Sequence, residues 1–131
     1  MNQYLKEVLD AHVLIQDWLG NIHSHDSICE NLLSRFSPLY SMVTPTGGLL
    51  DFKALNTFFR AQHGVRKGLT IEIKDITIIS ESEYGATVIY KELQQQPEQD
   101  ETLRFSTIVF EKAQDGKVMW RHLHETFLPN T

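Results

Sequence analysis

Apolar residues recur near the start of the chain at the three-and-four spacing of a helix, with Leu5, Val8, Leu9, Ile15 and Leu19 on one stripe. The spacing predicts a helix from Tyr4 to Leu19, followed by Gly20, where a left-handed terminal residue fits. His12 falls in the same register, which puts an imidazole on the buried stripe. The polar run HSHDS offers N-caps for a short second helix with Ile28, Leu32 and Leu33 on its face, and Pro38 stops it near Phe36. Leu39 to Val43 reads as a short strand closed by the TPTGG turn. Asp51 then caps a third helix that turns Leu55, Phe58 and Phe59 to the core and ends at Gly64.

Beyond Gly68 the period changes to two. Leu69, Ile71 and Ile73 share one parity, whereas Ile76 and Ile78 have the other, so one extra residue near Lys74-Asp75 is expected as a bulge that bends the strand. Tyr84 to Leu93, Thr102 to Lys112 and Lys117 to Leu128 continue as an antiparallel meander, joined by the QQQPEQDE loop and the tight Gln114-Asp115-Gly116 turn. Both parities of these strands carry large apolar groups, among them Val88 with Ile89, Ile108 with Val109, and Trp120 with Leu123 and Phe127. A sheet solvated on one side alternates more strictly. Helices are therefore expected on one face, and a second copy of the chain on the other.

Composition narrows the function classes. With 131 residues, 41% hydrophobic and 22% charged, the chain reads as one globular domain over 1–131. No apolar run approaches the length of a membrane span, and the N-terminus does not resemble a secretory signal, so a cytoplasmic protein without a membrane partner is the expectation. Cys29 is the only cysteine, which leaves no pair for an intramolecular disulfide. A net charge of -5 repels phosphate backbones, and only Arg60, Arg66 and Lys67 lie close together, so nucleic acid is not an expected partner.

The order of elements, with FSPLYSMVTPTGG before the third helix and the DGKVMWRHLHET hairpin near the end, resembles the nuclear transport factor two-like superfamily. The likeness is to its SnoaL-like and calcium/calmodulin-dependent kinase association-domain branch. It implies an α+β cone, a cystatin-like α+β barrel in which a strongly curved mixed or antiparallel sheet wraps around three N-terminal helices. It further implies a pocket at the open end and a homodimer packed through the sheet. The superfamily holds isomerases, dehydratases, cyclases, transport adaptors and oligomerisation domains, so the fold leaves activity open.

The chemistry on offer centres on WRHLHET. Strict alternation puts Trp120, His122, His124 and Thr126 on one face and Arg121, Leu123, Glu125 and Phe127 on the other. Two imidazoles two residues apart form a metal-site element, yet zinc needs a third or fourth ligand that the sequence does not place, so neither a metal nor a cofactor is expected. By the resemblance, His124 shares the face of Trp120 and looks into the cone. Glu92 has the parity of Tyr90 and faces either inward or to solvent, and Tyr40 approaches from the first strand. His124 and Glu92 are then the candidate acid–base groups. Tyr40, Tyr90, Arg104, Trp120 and His122 are the candidate lining. Each imidazole also has an ordinary reading as a hydrogen-bonded wall or surface residue, and His12 as a satisfied core histidine. Arg104 either clamps an anion or pairs across strands with Glu92. A domain that binds a small, partly apolar molecule is the first expectation. An isomerase, dehydratase or cyclase is the alternative, and a protein-interaction module the third.

Overall fold

The structure, a computed structural model, describes residues 1–129; the last two positions of the expected domain lie outside the described residues. Helix α1 spans Gln3–Gly20 and starts on Asn2, whose side chain accepts from the Tyr4 amide at 2.8 Å. Its buried stripe is Tyr4, Val8, Ala11, His12, Trp18 and Leu19, so the imidazole expected there is indeed inside. Gly20 is the last helical residue and is not left-handed. A Cβ at Gly20 would lie 3.2 Å from the Leu69 backbone nitrogen, so glycine permits a close approach instead of a reversal.

That approach is held by three hydrogen bonds from the loop after the third helix. The amides of Gly64, Arg66 and Gly68 donate to the carbonyls of Trp18, Leu19 and Gly20 at 2.9, 2.9 and 3.1 Å. The loop thereby satisfies the open carbonyls at the end of α1, and in doing so it fixes where Arg66 starts.

Helix α2 covers Ser27–Leu33 and buries Cys29, Leu32 and Leu33. Strand β1, Phe36–Val43, begins earlier than the expected Leu39, because Pro38 and Leu39 sit exposed at an irregularity that the strand tolerates. A three-residue strand β2, Leu49–Asp51, pairs back on β1 after the TPTGG turn. Helix α3, Phe52–Ala61, is capped by Asp51 accepting from the Ala54 amide at 2.9 Å. It buries Leu55 and Phe59 but leaves Phe58 nearly half exposed, and it stops at Ala61, short of the expected Gly64.

The remaining strands are β3, Thr70–Ser82, β4, Gly85–Gln95, β5, Thr102–Lys112, and β6, Val118–Leu128. They form one unclosed six-stranded sheet in the order β2-β1-β6-β5-β4-β3, antiparallel except for the parallel pair β1 and β6. The architecture is the α+β cone expected, with a curved mixed sheet around helices.

Register shifts interrupt the β1–β6 pair, the β3–β4 pair at two places and the β5–β6 pair, and such irregularities bend a sheet; two of them bear on the sequence reading. Asp75 has φ of 52° and the β3–β4 register shifts between Lys74 and Thr77, where the parity of the isoleucines had located an extra residue. A second lies in β6: Phe110 pairs with Trp120 but Val109 pairs with His122, so Arg121 is the additional residue. Strict alternation along WRHLHET is corrected by that bulge. Trp120, Leu123 and Glu125 face the core, and His122 and His124 face away from it.

At the turn into β4, Gly85 has φ of 157°, and a Cβ there would lie 2.0 Å from the Phe110 carbonyl oxygen. Gly85→Ala is expected to cost about 2–4 kcal/mol, since it must open the β4–β5 pairing. Urea denaturation with the slope held common to both proteins measures it.

Candidate binding site

Between the C-terminal half of α1, β1, α3 and the inner face of the sheet lies a cavity of about 230 Å³. This lies just under the roughly 300–1,000 Å³ usual for small-molecule sites, so an occupant must be small. Its walls are apolar, with Ile15 and Leu19 from α1, Phe36 and Met42 from β1, Leu55 and Phe59 from α3, and Trp120 and Leu123 from β6. Its polar lining is His12, Tyr40, Arg66, Glu92, Gln94, Arg104 and Glu125, with Thr44 at the turn after β1.

Glu92 and His12 form the centre. On β4, Tyr90, Glu92 and Gln94 share the buried face, so Glu92 is only 3% exposed. One carboxylate oxygen lies 3.1 Å from His12 Nε2, and the other accepts from the Gln94 amide at 2.5 Å. His12 Nδ1 is 2.7 Å from the Val8 carbonyl, which can only accept, so this nitrogen carries a hydrogen. With Glu92 ionised, Nε2 must carry one too, and the pair is imidazolium and carboxylate. Tyr90 Oη lies 3.3 Å from the same nitrogen.

The pKa directions agree with this. Burial pushes the Glu92 carboxyl up, but the charge and hydrogen bond of His12, the charge of Arg104 and the hydrogen bond from Gln94 outweigh it and hold the group down at about 2. Burial pushes His12 down, and the charge and hydrogen bond of Glu92, the Val8 carbonyl and the more distant Glu125 outweigh it, leaving it raised.

The second carboxylate is Glu125 on β6. Arg104 Nη1 donates to it at 3.3 Å and Ser106 Oγ at 3.3 Å, both at the long end for a hydrogen bond. Burial first, and then the charge of Glu92, push its pKa up, against the opposing pull of Arg104, His12 and Ser106. Arg104 directly opposes Glu92 in the β4–β5 register, yet its ion pair is with Glu125, and its guanidinium also stands 5.1 Å from the Phe127 ring centre. Arg66 reaches the cavity from the loop that caps α1, donating to Gln94 and, at 2.9 Å, to Gln96. Burial and then the like charge of Arg104 push it below its ordinary value, although a guanidinium remains charged at neutral pH.

Two donors in this lining are left over. Tyr40 Oη and Arg104 Nε are buried and have no hydrogen-bond partner. Such groups are uncommon and costly.

Among the residues expected at the site, Tyr40, Glu92, Arg104 and Trp120 line the cavity, and Tyr90 is fully buried behind His12. His122 and His124 do not line it. His124 is exposed on the outer face of the sheet, and His122 Nδ1 lies 2.7 Å from Ser41 Oγ. The expectation that His124 looks into the cone is thus corrected, because Arg121 is an extra residue and moves the following side chains to the other face. A base poised near neutrality is not found at Glu92 either, since its partners hold it ionised. Sequence reasoning missed Glu125, Gln94 and Arg66 as lining. A signal for Glu125 was present in the conflicting parities of Trp120, Leu123 and Phe127, which the same one-residue slip inferred in β3 resolves.

The chain is 40% identical to an NTF2-like protein of unknown function from Pseudomonas aeruginosa. The match covers 96% of this chain and 98% of that one, with a TM-score of 0.90. The chain belongs to the NTF2-like family. The same fold is shared at 17% identity by the association domain of the Caenorhabditis elegans kinase CaMKII, with a TM-score of 0.71 and 95% of each chain covered. A protein of unknown function with a cystatin-like fold from Nostoc punctiforme matches at 16% identity and a TM-score of 0.71, covering 95% of this chain and 90% of that one. No family model matches the chain, and no curated protein does. No helix among the described residues is long and apolar enough to cross a membrane.

In this NTF2-like cone the His12–Glu92 pair ties α1 to β4, and removing one partner of a buried pair costs about 3–5 kcal/mol. Glu92→Gln is expected to destabilise by that order. The lowered Glu92 contributes stability that is complete above its ordinary value of 4.5 and is lost as pH falls through about 2. The raised His12 contributes stability that is complete below 6.5 and is lost as pH rises through its folded value. The difference between wild type and Glu92→Gln should therefore be largest between pH 4.5 and 6.5 and shrink above it, as read from urea midpoints across pH. Glu125 acts with the opposite sign, its ionisation lowering stability as pH rises, through burial in both proteins and through the charge of Glu92 in the wild type alone.

Proposed function

We propose that the protein binds a small, partly apolar anion, with a carboxylate as the group its cavity recognises. The observation that carries this reading is the pair of unpartnered donors, Tyr40 Oη and Arg104 Nε, on two residues that line the cavity. Charge supports it. His12, Arg66 and Arg104 supply three cations against the two carboxylates Glu92 and Glu125, and the raised Glu125 tips the balance further towards positive. An anion accepting from Arg104 and Tyr40 satisfies both donors, and Leu19, Leu55 and Phe59 take the apolar remainder of the ligand.

Benzoate and hexanoate, each compared with its uncharged amide, test the reading by thermal shift. At about a hundred times the dissociation constant the acid is expected to stabilise the fold by about 2.7 kcal/mol, with a much smaller effect for the amide. Arg104→Gln should abolish the difference. Equal shifts with acid and amide, or none with either, would sink the anion reading.

Self-association through the outer face of the sheet is a second reading, favoured by a specific surface. Phe105 and Val109 on β5 are exposed there beside the half-buried Ile89 and Thr107. Association also figures in the name of a protein of this fold, the CaMKII association domain. A homodimer covering this face explains why both parities of β4 and β5 are apolar. Light scattering coupled to size exclusion is expected to give a dimer for wild type and a monomer for Val109→Glu. A monomeric wild type at tens of micromolar would refute it.

A further inference from the structure

We propose that the cavity takes up its anion together with a proton, and that Glu125 receives that proton: the anion takes the free Nε–H of Arg104, beside the Nη1–H that Glu125 holds, and the proton neutralises the carboxylate it would otherwise face. The proposal rests on the anion-binding reading and adds its regulation.

Glu125 is the weakly held charge of the site. Glu92 has a hydrogen bond on each oxygen, from the imidazolium of His12 and the amide of Gln94, whereas the two contacts of Glu125 are both 3.3 Å long. The charged and titratable groups that face Glu125 come from four elements: Arg104 on β5, with the hydroxyl of Ser106 beside it, Glu92 and Tyr90 on β4, His12 on α1, and Tyr40 on β1. Of the two cations, His12 is committed to Glu92. Arg104 is the only direct ionic partner of Glu125 among the described residues, and it is also the group with a free Nε–H.

A carboxylate that accepts from Arg104 Nε and Tyr40 Oη becomes a third anion in a space where two already repel each other. Among the three, Glu125 has the least to lose by neutralisation. A proton from solvent added to Glu125 removes its repulsion with the incoming anion, and the resulting O–H turns an acceptor into a donor able to bind that anion. No other bond changes, and one positive charge enters with one negative charge. The raised affinity of Glu125 for protons in the empty site, caused by burial and by Glu92, is in the direction this requires.

Isothermal titration of benzoate into the wild-type protein, in two buffers of different ionisation enthalpy between about pH 5 and pH 8, counts the protons. Uptake of about one proton per benzoate is expected on the alkaline side, where affinity should fall about tenfold per pH unit. In Glu125→Gln, which keeps the shape and supplies a donor, uptake should disappear, the affinity should become flat with pH, and binding at the alkaline end should exceed that of wild type. Should this variant not fold, the carboxyl carbon resonance of Glu125 in labelled wild-type protein reads the same assignment, moving to the protonated position as benzoate is added. Benzoate binding with no proton uptake overturns the proposal and leaves the anion reading standing. Uptake that persists in Glu125→Gln, or a Glu125 resonance that stays ionised, assigns the proton elsewhere and overturns it as well. If benzoate binds neither protein at any pH, the anion reading fails and this proposal fails with it.

Discussion

The contact between His12 and Glu92 governs most of what is distinctive in this structure. An imidazolium and a carboxylate, each almost out of reach of water, join the middle of α1 to the inner face of β4. Neither charge is tolerable there alone, since an isolated ion in a low-dielectric interior is strongly disfavoured. Together, and with the Val8 carbonyl and the Gln94 amide supplying the remaining partners, they fix the rotation of the helix against the sheet. That rotation turns His12, Ile15 and Leu19 to the cavity.

Around this pair the site divides its charges unequally. Glu92 is fully partnered and held ionised, while Glu125, on the same face of the sheet, has two long contacts and a like charge for a neighbour. Two carboxylates whose surroundings drive their proton affinities apart have different roles available to them. Glu92 is structural. Glu125 is the less firmly held of the two, with Arg104 as its direct ionic partner among the described residues. The apolar walls matter for the same reason, because excluding water from around Arg104 and Tyr40 strengthens the interactions those donors make.

A loop that satisfies a helix end also serves the site. Gly64, Arg66 and Gly68 donate backbone hydrogen bonds to the last turn of α1, and the side chain of Arg66 is thereby delivered to Gln94 beside Glu92. Helix capping and the charge of the cavity thus come from one short segment. Membership of the NTF2-like family accounts for the cone but leaves these details to the individual chain, since fold and function separate readily.

The sequence by itself determined the three helices, the strands other than the short β2, the bulge at Asp75 and the burial of His12, because each is written in a local period or a local break in one. Hydrophobic parity along β3 changes sign at a single place, and only an extra residue reconciles it. In β6 the same signal is weaker: Trp120, Leu123 and Phe127 disagree in parity, but the HxH pair suggests a competing register in which the imidazoles look inward. Only the tertiary structure decided between them. The pairing of Phe110 with Trp120 and of Val109 with His122 places the extra residue at Arg121, which turns His122 and His124 outward and brings Glu125 into the cavity. Arg66 and Gln94 were equally beyond local reading, as their roles arise from contacts between segments about 30 residues apart in the chain. Local periodicity reports which face of an element is apolar, whereas the company kept by a buried charge is set by how the elements close on one another.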